Sequence, residues 1–233
     1  MKKLVVQVWS DIACPWCFVG KRRLEAALAR FAHRDEVAVI WRAFELDPGS
    51  PPVREAQSYA ERLGRKYGKS ANEAQGMIDR MTEVARADGL DFRFDRIRPG
   101  NTFDAHRLLH LAHERGVQDA VKERFFLAYL TEGEAIGDRT VLHRLAVQAG
   151  LESAEITSVL EGDTYADEVR ADEQEAREAD ISGVPFFVVG RYGISGAQTA
   201  DVLLSALEKA WAEAGAAEAP FADGAVCGPE GCV

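Results

Sequence analysis

The residues best suited to chemistry in this chain are two cysteines in the run Cys14-Pro15-Trp16-Cys17. A thiolate is the form of cysteine that attacks disulfides. A second cysteine one helical turn away can then displace the product from the mixed disulfide. The spacing therefore predicts dithiol–disulfide exchange, with Cys14 as the nucleophile and Cys17 as the resolving thiol. Such a pair is itself the redox group, so we expect no metal and no organic cofactor.

The two cysteines lie where a predicted strand meets a predicted helix. Residues 3–9 are rich in β-branched and aromatic residues, and residues 18–28 repeat apolar residues at helical spacing. Pro15 falls in the first turn of that helix, where proline is tolerated. Because a helix N-terminus carries free N–H groups and a partial positive charge, we expect the pKa of Cys14 to lie below the free-thiol value of about 8.5.

A zinc site is the main alternative for a Cys-x-x-Cys pair, with Cys227 and Cys232 as the other two ligands. These cysteines lie at the far end of the chain, in a segment rich in glycine, alanine and proline. The first pair also has a predicted strand and helix to hold it without a metal. We therefore favour redox chemistry and keep a zinc-binding interaction module as an alternative.

Size, charge and cysteine content restrict the class of protein. The chain has 233 residues, 47% of them apolar, which suits one large or two small domains with a proper core. A net charge of −10 gives no support to binding of nucleic acid or an anionic membrane. Polar residues Gln7 and Asp11 interrupt the N-terminal apolar run before it could serve as a signal peptide, and no run is long enough to span a bilayer. The cytoplasm is the expected location.

The remaining sequence predicts a small sheet interrupted by helices. A second strand over 37–44 completes a βαβ unit with parallel strands. Strand signals then nearly vanish from about 53 to 181, and a hairpin with a Gly190-Arg191 turn and a final helix follow. Helix N-termini in the central region are predicted at Ser70, at Asn101 or Thr102, and at Asp138. The acidic run Asp172-Glu173-Gln174-Glu175 is interpreted as a solvated helix face.

Gly183-Val184-Pro185, which opens the predicted hairpin, is a second candidate motif. A proline at the first residue of a strand is compatible with strand pairing. Alternatively, Pro185 forms a cis-proline loop packed against Cys14, because cis X–Pro bonds occur in tight turns. Backbone groups of Val184 would then be free to pair with an extended substrate. The spacing alone leaves both options open.

The order of these elements resembles the DsbA-like branch of the thioredoxin superfamily, and more narrowly its FrnE-type members, over residues 3–212. The resemblance rests on three motifs: Ser10-Asp11-x-x-Cys14-Pro15-Trp16-Cys17, Asn101-Thr102-x-x-Ala105-His106 and Gly183-Val184-Pro185-Phe186. It implies an α/β thioredoxin fold with a large all-helical insertion, in which Cys14 is the nucleophile, Cys17 resolves and Pro185 is cis.

The resemblance also implies a domain division and further site residues. The predicted parts are a thioredoxin domain of residues 1–50 and 182–214, an inserted helical domain of residues 51–181, and a flexible tail of residues 215–233. His106 and Asn101 would lie near the cleft between the domains and, with Val184, bind the substrate. Otherwise His106 is a helix residue hydrogen-bonded to its surroundings.

The implied function is that of a thiol–disulfide oxidoreductase, which reduces, forms or isomerises protein disulfides. Its partners would be proteins with disulfides or thiols, and glutathione or a thioredoxin-type protein is a candidate for recycling the pair. Relatives with serine in place of Cys14 use glutathione, as 2-hydroxychromene-2-carboxylate isomerases or kappa-class transferases, and such an enzyme is the alternative. Both cysteines are present here, which favours dithiol exchange. Trp16 stands where an ionisable histidine would assist the thiolate, so we expect a milder oxidant than the periplasmic members.

A second cysteine pair flanks the sequence Gly-Pro-Glu-Gly, in the run from Cys227 to Cys232. Proline second and glycine fourth are typical of a β-turn, which would bring the two cysteines close enough for a small disulfide ring. We hypothesise that this pair is an auxiliary redox site that exchanges electrons with Cys14 and Cys17, because tethering raises its effective concentration. The alternative is an incidental, exposed pair.

Overall fold

A computed structural model describes residues 4–53 and 58–216, with the backbone alone at residues 215 and 216. Four strands and nine α-helices lie in these residues. They are β1 (Leu4–Ser10), α1 (Pro15–Arg30), β2 (Val37–Ala43), α2 (Tyr59–Tyr67), α3 (Ala71–Ala87), α4 (Phe103–Glu114), α5 (Gln118–Leu127), α6 (Arg139–Gln148), α7 (Ser153–Glu161), α8 (Ala166–Glu178), β3 (Phe186–Val189), β4 (Tyr192–Ser195) and α9 (Ala200–Ala216).

The strands form one mixed sheet in the order β2-β1-β3-β4. Strands β1 and β2 are parallel and joined through α1, whereas β3 pairs antiparallel with both β1 and β4. The predicted hairpin turn is present, with Gly190 at a φ of 58°, a conformation that favours glycine. Alternate residues of β1, among them Val6 and Val8, are fully buried in a core shared with α1 and α9. The sheet therefore holds the start of α1 next to the start of β3.

Local capping signals predicted the starts of several helices correctly. Ser70 forms a capping box with Glu73 at the start of α3, and the Asp138 side chain accepts from two backbone N–H groups at the start of α6. At the start of α4 the Asn101 side chain accepts from the N–H of Phe103 at 2.8 Å. Helix α2 was not predicted, because it is short and its N-cap Ser58 makes no side-chain capping bond.

The interpretation of the acidic run as a solvated face is wrong for its first two residues. Asp172 and Glu173 are only 2% and 9% exposed. Asp172 accepts from the guanidinium of Arg42 and from the N–H of Ala43, both at 2.8 Å. These bonds attach α8 to the end of β2, so the run joins the helical segment to the sheet.

The first turn of α1 packs against the helices of the central segment rather than against the sheet alone. Cys14, Cys17 and Phe18 belong to a buried cluster with residues from α3 to α7, and Phe18 stacks on Phe126 of α5 with ring centroids 4.9 Å apart. The cysteine pair therefore lies where the helical segment meets the sheet. We retain the division at residues 51 and 181 into a thioredoxin domain and an inserted domain as a proposal.

Candidate functional site

The cysteine pair occupies the start of α1, as the sequence predicts. Cys14 is the N-cap residue and Pro15 follows at the first helical position. The N–H of Cys17 donates to the carbonyl of Cys14 at 3.0 Å, which closes the first turn. Both cysteines are free thiols; Cys14 is 5% exposed and Cys17 is fully buried. A substrate sulfur therefore reaches Cys14 more readily than Cys17.

The loop before β3 lies directly against Cys14. The Val184–Pro185 peptide bond is cis, as the resemblance implied. The Cys14 thiol donates to the carbonyl of Val184 at 3.4 Å, a normal length for a sulfur donor. Trp16, between the two cysteines, is 40% exposed. The structure thus brings together six of the predicted residues: Cys14, Pro15, Trp16 and Cys17 at the start of α1, and Val184 and Pro185 of the loop.

The acidity of Cys14 differs from the expectation. A hydrogen bond with the Cys17 sulfur, together with burial, raises the pKa of the Cys14 thiol well above its usual value. Two neighbouring thiols lose their protons in two steps, and the first anion makes the second harder to form. The expected low pKa took account of the helix N-terminus only. It left out the Cys17 sulfur and the burial of Cys14 away from water, both of which raise the pKa.

Asp11 fixes the turn that leads into the cysteine pair. Its buried carboxylate accepts from the N–H of Ala13 at 3.2 Å and from the N–H of Leu46 at 2.8 Å, while its carbonyl accepts from the N–H of Cys14. Burial alone would raise the pKa of Asp11, but His106 and the two backbone N–H groups outweigh it, so the net pKa is lowered. An ionised carboxylate therefore lies within three residues of Cys14.

The two candidate residues of the Asn-Thr-x-x-Ala-His motif differ in burial: His106 is buried and Asn101 is half-buried. The Nε2 atom of His106 is 3.5 Å from the Asp11 carboxylate, and the imidazole is buried. Asn101 donates to the carboxylate of Glu45 at 2.9 Å, which also pairs with Arg170. Its burial favours a supporting role for His106, and the direct substrate contact that the resemblance implies for His106 and Asn101 stays a proposal.

Lys122 of α5 is a candidate site residue that the sequence reasoning missed. Its side chain is fully buried, and its ammonium group donates to the carbonyl of Ser10 at 3.3 Å. Burial lowers the pKa of Lys122 to about 8, against the opposite influence of Cys17, Asp11 and Cys14. A signal was present, because residues three and four positions later, Phe125 and Phe126, place Lys122 on the apolar face of the helix.

The part of the chain that the structure describes was also compared with the zinc alternative and with a membrane span. None of its groups of His, Cys, Asp and Glu is arranged to hold a metal ion. Within the same residues, no helix is both long and apolar enough to cross a membrane. Cys227 and Cys232, which the zinc alternative and the auxiliary redox hypothesis both need, lie outside the described residues.

Comparison with known proteins agrees with this geometry. The family model described as a DsbA-like thioredoxin domain matches residues 5–208. This chain belongs to the DsbA-like thioredoxin family. A relative of this DsbA-like chain, the uncharacterized protein YwbO of Bacillus subtilis strain 168, is 32% identical over 204 residues, which cover 87% of this chain and 94% of YwbO.

Two solved structures support the fold of this DsbA-like chain. The probable DsbA oxidoreductase SCO1869 of Streptomyces coelicolor is 46% identical, with a TM-score of 0.85 over 99% of this chain and 98% of SCO1869. The cytosolic disulfide reductase DsbM from Pseudomonas aeruginosa, solved with GSH, is 17% identical; it covers 92% of this chain and 98% of DsbM, with a TM-score of 0.59, and supports the fold alone. Membership in the DsbA-like family and the similarity to SCO1869 together indicate that this chain is an oxidoreductase.

Gly20 of this DsbA-like chain allows α1 to approach the Val184–Pro185 loop. A Cβ atom at residue 20 would lie 3.0 Å from the Pro185 ring and 3.1 Å from the Phe187 ring. Alanine favours a helix by about 1 kcal/mol over glycine, but overpacking costs about 1–3 kcal/mol. We therefore expect Gly20→Ala to lower the free energy of unfolding by about 0–2 kcal/mol. If the chain reduces disulfides as the sequence predicts, its rate with insulin as substrate should fall about two- to tenfold, because the loop must move by a few tenths of an ångström.

Gly76→Ala is the matched control for this prediction. Gly76 is also a helix-interior glycine, in α3, and its nearest neighbour for an added Cβ is the end of the Arg80 side chain at 3.9 Å. We expect Gly76→Ala to raise the free energy of unfolding, measured in urea, by up to about 1 kcal/mol. Its insulin reduction rate should equal that of the wild type. If the two variants had the same unfolding free energy and the same insulin reduction rate, the close approach of Gly20 to Pro185 would have no role in the site.

Proposed function

We propose that this chain is a cytoplasmic thiol–disulfide oxidoreductase that reduces, forms or isomerises protein disulfides through Cys14 and Cys17. The observation that carries the proposal is the placement of a barely exposed Cys14 thiol between the start of α1 and the Val184 carbonyl, with Cys17 buried one turn behind it. Membership in the DsbA-like family supports the same class of enzyme.

In the reducing direction, the Cys14 thiol loses its proton to solvent, and the resulting thiolate attacks one sulfur of a substrate disulfide. A Cys14–substrate S–S bond forms, and the other substrate sulfur leaves as a thiolate that takes up a proton. The Cys17 sulfur then loses its proton and attacks the Cys14 sulfur, which releases the second substrate thiol and leaves a Cys14–Cys17 disulfide. Two electrons pass from the cysteine pair to the substrate. In the oxidising direction the same steps run in reverse.

The loop at Val184 and the exposed indole of Trp16 form the proposed substrate surface. An extended peptide that pairs with the backbone of Val184, in the manner of strand addition, would place its own sulfur at Cys14. The Val184 carbonyl already accepts a hydrogen bond from the Cys14 thiol. A substrate bound at Val184 would therefore lie within reach of the proposed nucleophile. Main-chain pairing is independent of side-chain sequence, which suits an enzyme with many protein substrates.

We propose that the cysteine pair is the redox group and that its electrons come from or go to glutathione or a thioredoxin-type protein. The cytosolic disulfide reductase DsbM, solved with GSH, shares the fold and makes glutathione the first co-substrate to test. The same comparison and the small number of cysteines favour the cytoplasm.

We also propose that the tail cysteines exchange electrons with the active-site pair. The test compares the redox potential of the Cys14–Cys17 pair and the insulin reduction rate of wild type with those of a Cys227→Ser/Cys232→Ser variant. A slower insulin reduction by the variant, with glutathione as the electron source, supports the exchange, and identical rates and potentials contradict it.

Reduction of insulin disulfides, followed by turbidity with glutathione or dithiothreitol as the electron source, tests the proposed function. We expect the protein to accelerate precipitation well above the reductant alone, and no acceleration with either reductant contradicts the proposal. A glutathione-dependent isomerase or transferase would instead bind glutathione tightly and keep its turnover without Cys17. A zinc module would contain stoichiometric metal after purification under reducing conditions.

A further inference from the structure

The turn between β4 and α9 is hydrogen-bonded to the Val184–Pro185 loop. The N–H of Gly196 donates to the carbonyl of Pro185 at 2.8 Å, which extends the pairing of β3 with β4 by one residue. Gly196 has a φ of 78°, a conformation that favours glycine, so the chain turns sharply at this point. The position of Val184, whose carbonyl faces the Cys14 thiol, is therefore tied to this turn.

Arg23 of α1 binds this turn and the helical segment at the same time. Its Nη1 atom donates to the carbonyl of Ala197 at 2.6 Å, and its Nε atom donates to the carboxylate of Asp88 at 3.0 Å. The Nη2 atom lies 3.0 Å from the same carboxylate oxygen. Because Asp88 is the residue that ends α3, one guanidinium joins α1, the turn after β4 and the end of α3.

Helix capping does not explain the acid at the end of α3. A helix C-terminus carries a partial negative charge, which disfavours a carboxylate at that position. The side chains of Arg23 and Asp88 are only 22% and 21% exposed, so solvent ions screen their attraction less than they would at the surface. The guanidinium compensates for the anion. Its planar fork can also serve a carboxylate and a carbonyl together, which the single nitrogen of a lysine does less well.

Arg23 contacts the turn from the same side of α1 on which Gly20 approaches Pro185. Residues three positions apart lie on one face of a helix. A Cβ atom at Gly20 would lie 3.0 Å from the Pro185 ring, and Arg23 binds the following turn about one helical turn further along α1. The loop therefore contacts α1 at Gly20 and is hydrogen-bonded to it, through the turn, at Arg23. A loop held in one position before the substrate arrives has less freedom to lose on binding.

We propose that Arg23 is a positioning residue for the substrate strand, an inference that rests on the proposed function. Its guanidinium fixes the Gly196–Ala197 turn to α1 and α3, and the turn fixes the Pro185 carbonyl. The backbone of Val184 is thereby preorganised to pair with an extended peptide. Arg23 acts through this turn and touches neither the substrate nor the sulfurs. Its loss should weaken the capture of peptide disulfides and leave the reactivity of the Cys14 sulfur unchanged.

The test compares two disulfides that share the same reacting group, thionitrobenzoate (TNB). One is the mixed disulfide of TNB with the single cysteine of a short extended peptide, which can pair with the backbone of Val184. The other is the mixed disulfide of TNB with 2-mercaptoethanol, which has no backbone to pair. The reduced protein, with Cys227 and Cys232 replaced by serine, reacts with each, and stopped-flow absorbance of released TNB gives two second-order rate constants.

In an Arg23→Met variant, we expect the rate constant for the peptide disulfide to fall about three- to tenfold. The rate constant for the small disulfide should change by less than about twofold, because the cysteine pair itself is unaltered. Arg22→Met is the matched control. Arg22 is the neighbouring arginine of α1, is 26% exposed, and pairs with Glu25 and with Glu123 of α5. It should keep both rate constants of the parent protein.

Asp88→Ala extends the test to the other end of the ion pair. We expect the peptide rate constant to fall in this variant as well, because the guanidinium loses one of its two anchors. The double variant with Arg23→Met should show little further loss, since residues that act as one unit are not additive.

Three outcomes would overturn the inference. They are an unchanged peptide rate constant in Arg23→Met, an equal fall for both disulfides, which would indicate a general structural effect, and additive losses in the double variant. If the methionine variant does not fold, Arg23→Lys, which keeps the charge but not the planar fork, undergoes the same comparison with the same expected result. Absence of reaction with both disulfides in the parent protein would instead remove the proposed function, and this inference with it.

Discussion

Cys14→Ser is expected to reduce insulin disulfide reduction to the rate of the reductant alone. The first step of the proposed reaction needs a sulfur nucleophile, and a serine hydroxyl is far less ionised and does not form an S–S bond. Cys17 cannot replace it, because its side chain is fully buried whereas Cys14 is partly accessible. The loss should therefore be complete, with no change in the free energy of unfolding beyond about 1 kcal/mol.

Cys17→Ser should block the second step of the reaction, whereas Cys14→Ser blocks the first. The first attack still occurs, but the intramolecular second attack is lost, so the mixed disulfide with Cys14 persists about 10³-fold longer or more. Non-reducing electrophoresis and mass spectrometry after incubation with an oxidised substrate would show the trapped adduct. Both variants are made with Cys227 and Cys232 replaced by serine, so that no tail thiol releases the adduct.

The two variants together test the order of the cysteines. An adduct on Cys17 in the Cys14→Ser protein would reverse the assignment of nucleophile and resolving thiol. Turnover of insulin by Cys17→Ser at the wild-type rate would contradict a dithiol mechanism and support the glutathione-dependent alternative.

Features encoded by neighbouring residues could be predicted from the sequence. The capping box of Ser70 and Glu73 involves residues three positions apart, and it was predicted correctly. The start of α1 at Pro15 was predicted for a similar reason, since proline suits the first helical position whatever lies around it. The elements that build the sheet and place the cysteine pair follow largely from such local patterns.

Features that depend on distant partners could not be predicted in this way. Asp172 looks like any exposed helix acid in the sequence, and its burial depends on Arg42 and Ala43, about 130 positions earlier. Lys122 differs, because its spacing from two phenylalanines signals a buried face even though nothing in its own segment identifies the cysteines as its neighbours. Its burial depends on how the helical segment meets β1 and β2, where Ser10 and Trp41 lie.

Asp172→Ala is expected to lower the free energy of unfolding by about 3–4 kcal/mol. Its carboxylate accepts hydrogen bonds from the guanidinium of Arg42 and from the N–H of Ala43, and the Nε2 atom of His110 lies 3.1 Å from it. Loss of one partner from a buried ion pair typically costs about 3–5 kcal/mol, because the other partners stay without a counterpart. We take the lower part of this range because Arg42 is partly exposed. Urea unfolding at pH 7 measures the change.

The effect should depend on pH in a defined direction. Burial alone would raise the pKa of Asp172, but His110, the N–H of Ala43 and Arg42 together hold it below the usual value of 3.8. A lowered pKa in the folded state stabilises the protein above that usual value, and the stabilisation is lost as the pH falls through the folded pKa. The difference between wild type and Asp172→Ala should therefore shrink below about pH 4.

Glu175→Ala is the matched control, because the Glu175 carboxylate faces the same guanidinium of Arg42, at 3.8 Å, but is half exposed. An exposed ion pair contributes about 0–1 kcal/mol, so we expect a change of less than about 1 kcal/mol with little pH dependence. A loss in Asp172→Ala no larger than in this control would mean that the contact between α8 and β2 contributes little to stability. The helical segment would then be held against the sheet mainly by apolar packing, such as that of Phe18 on Phe126.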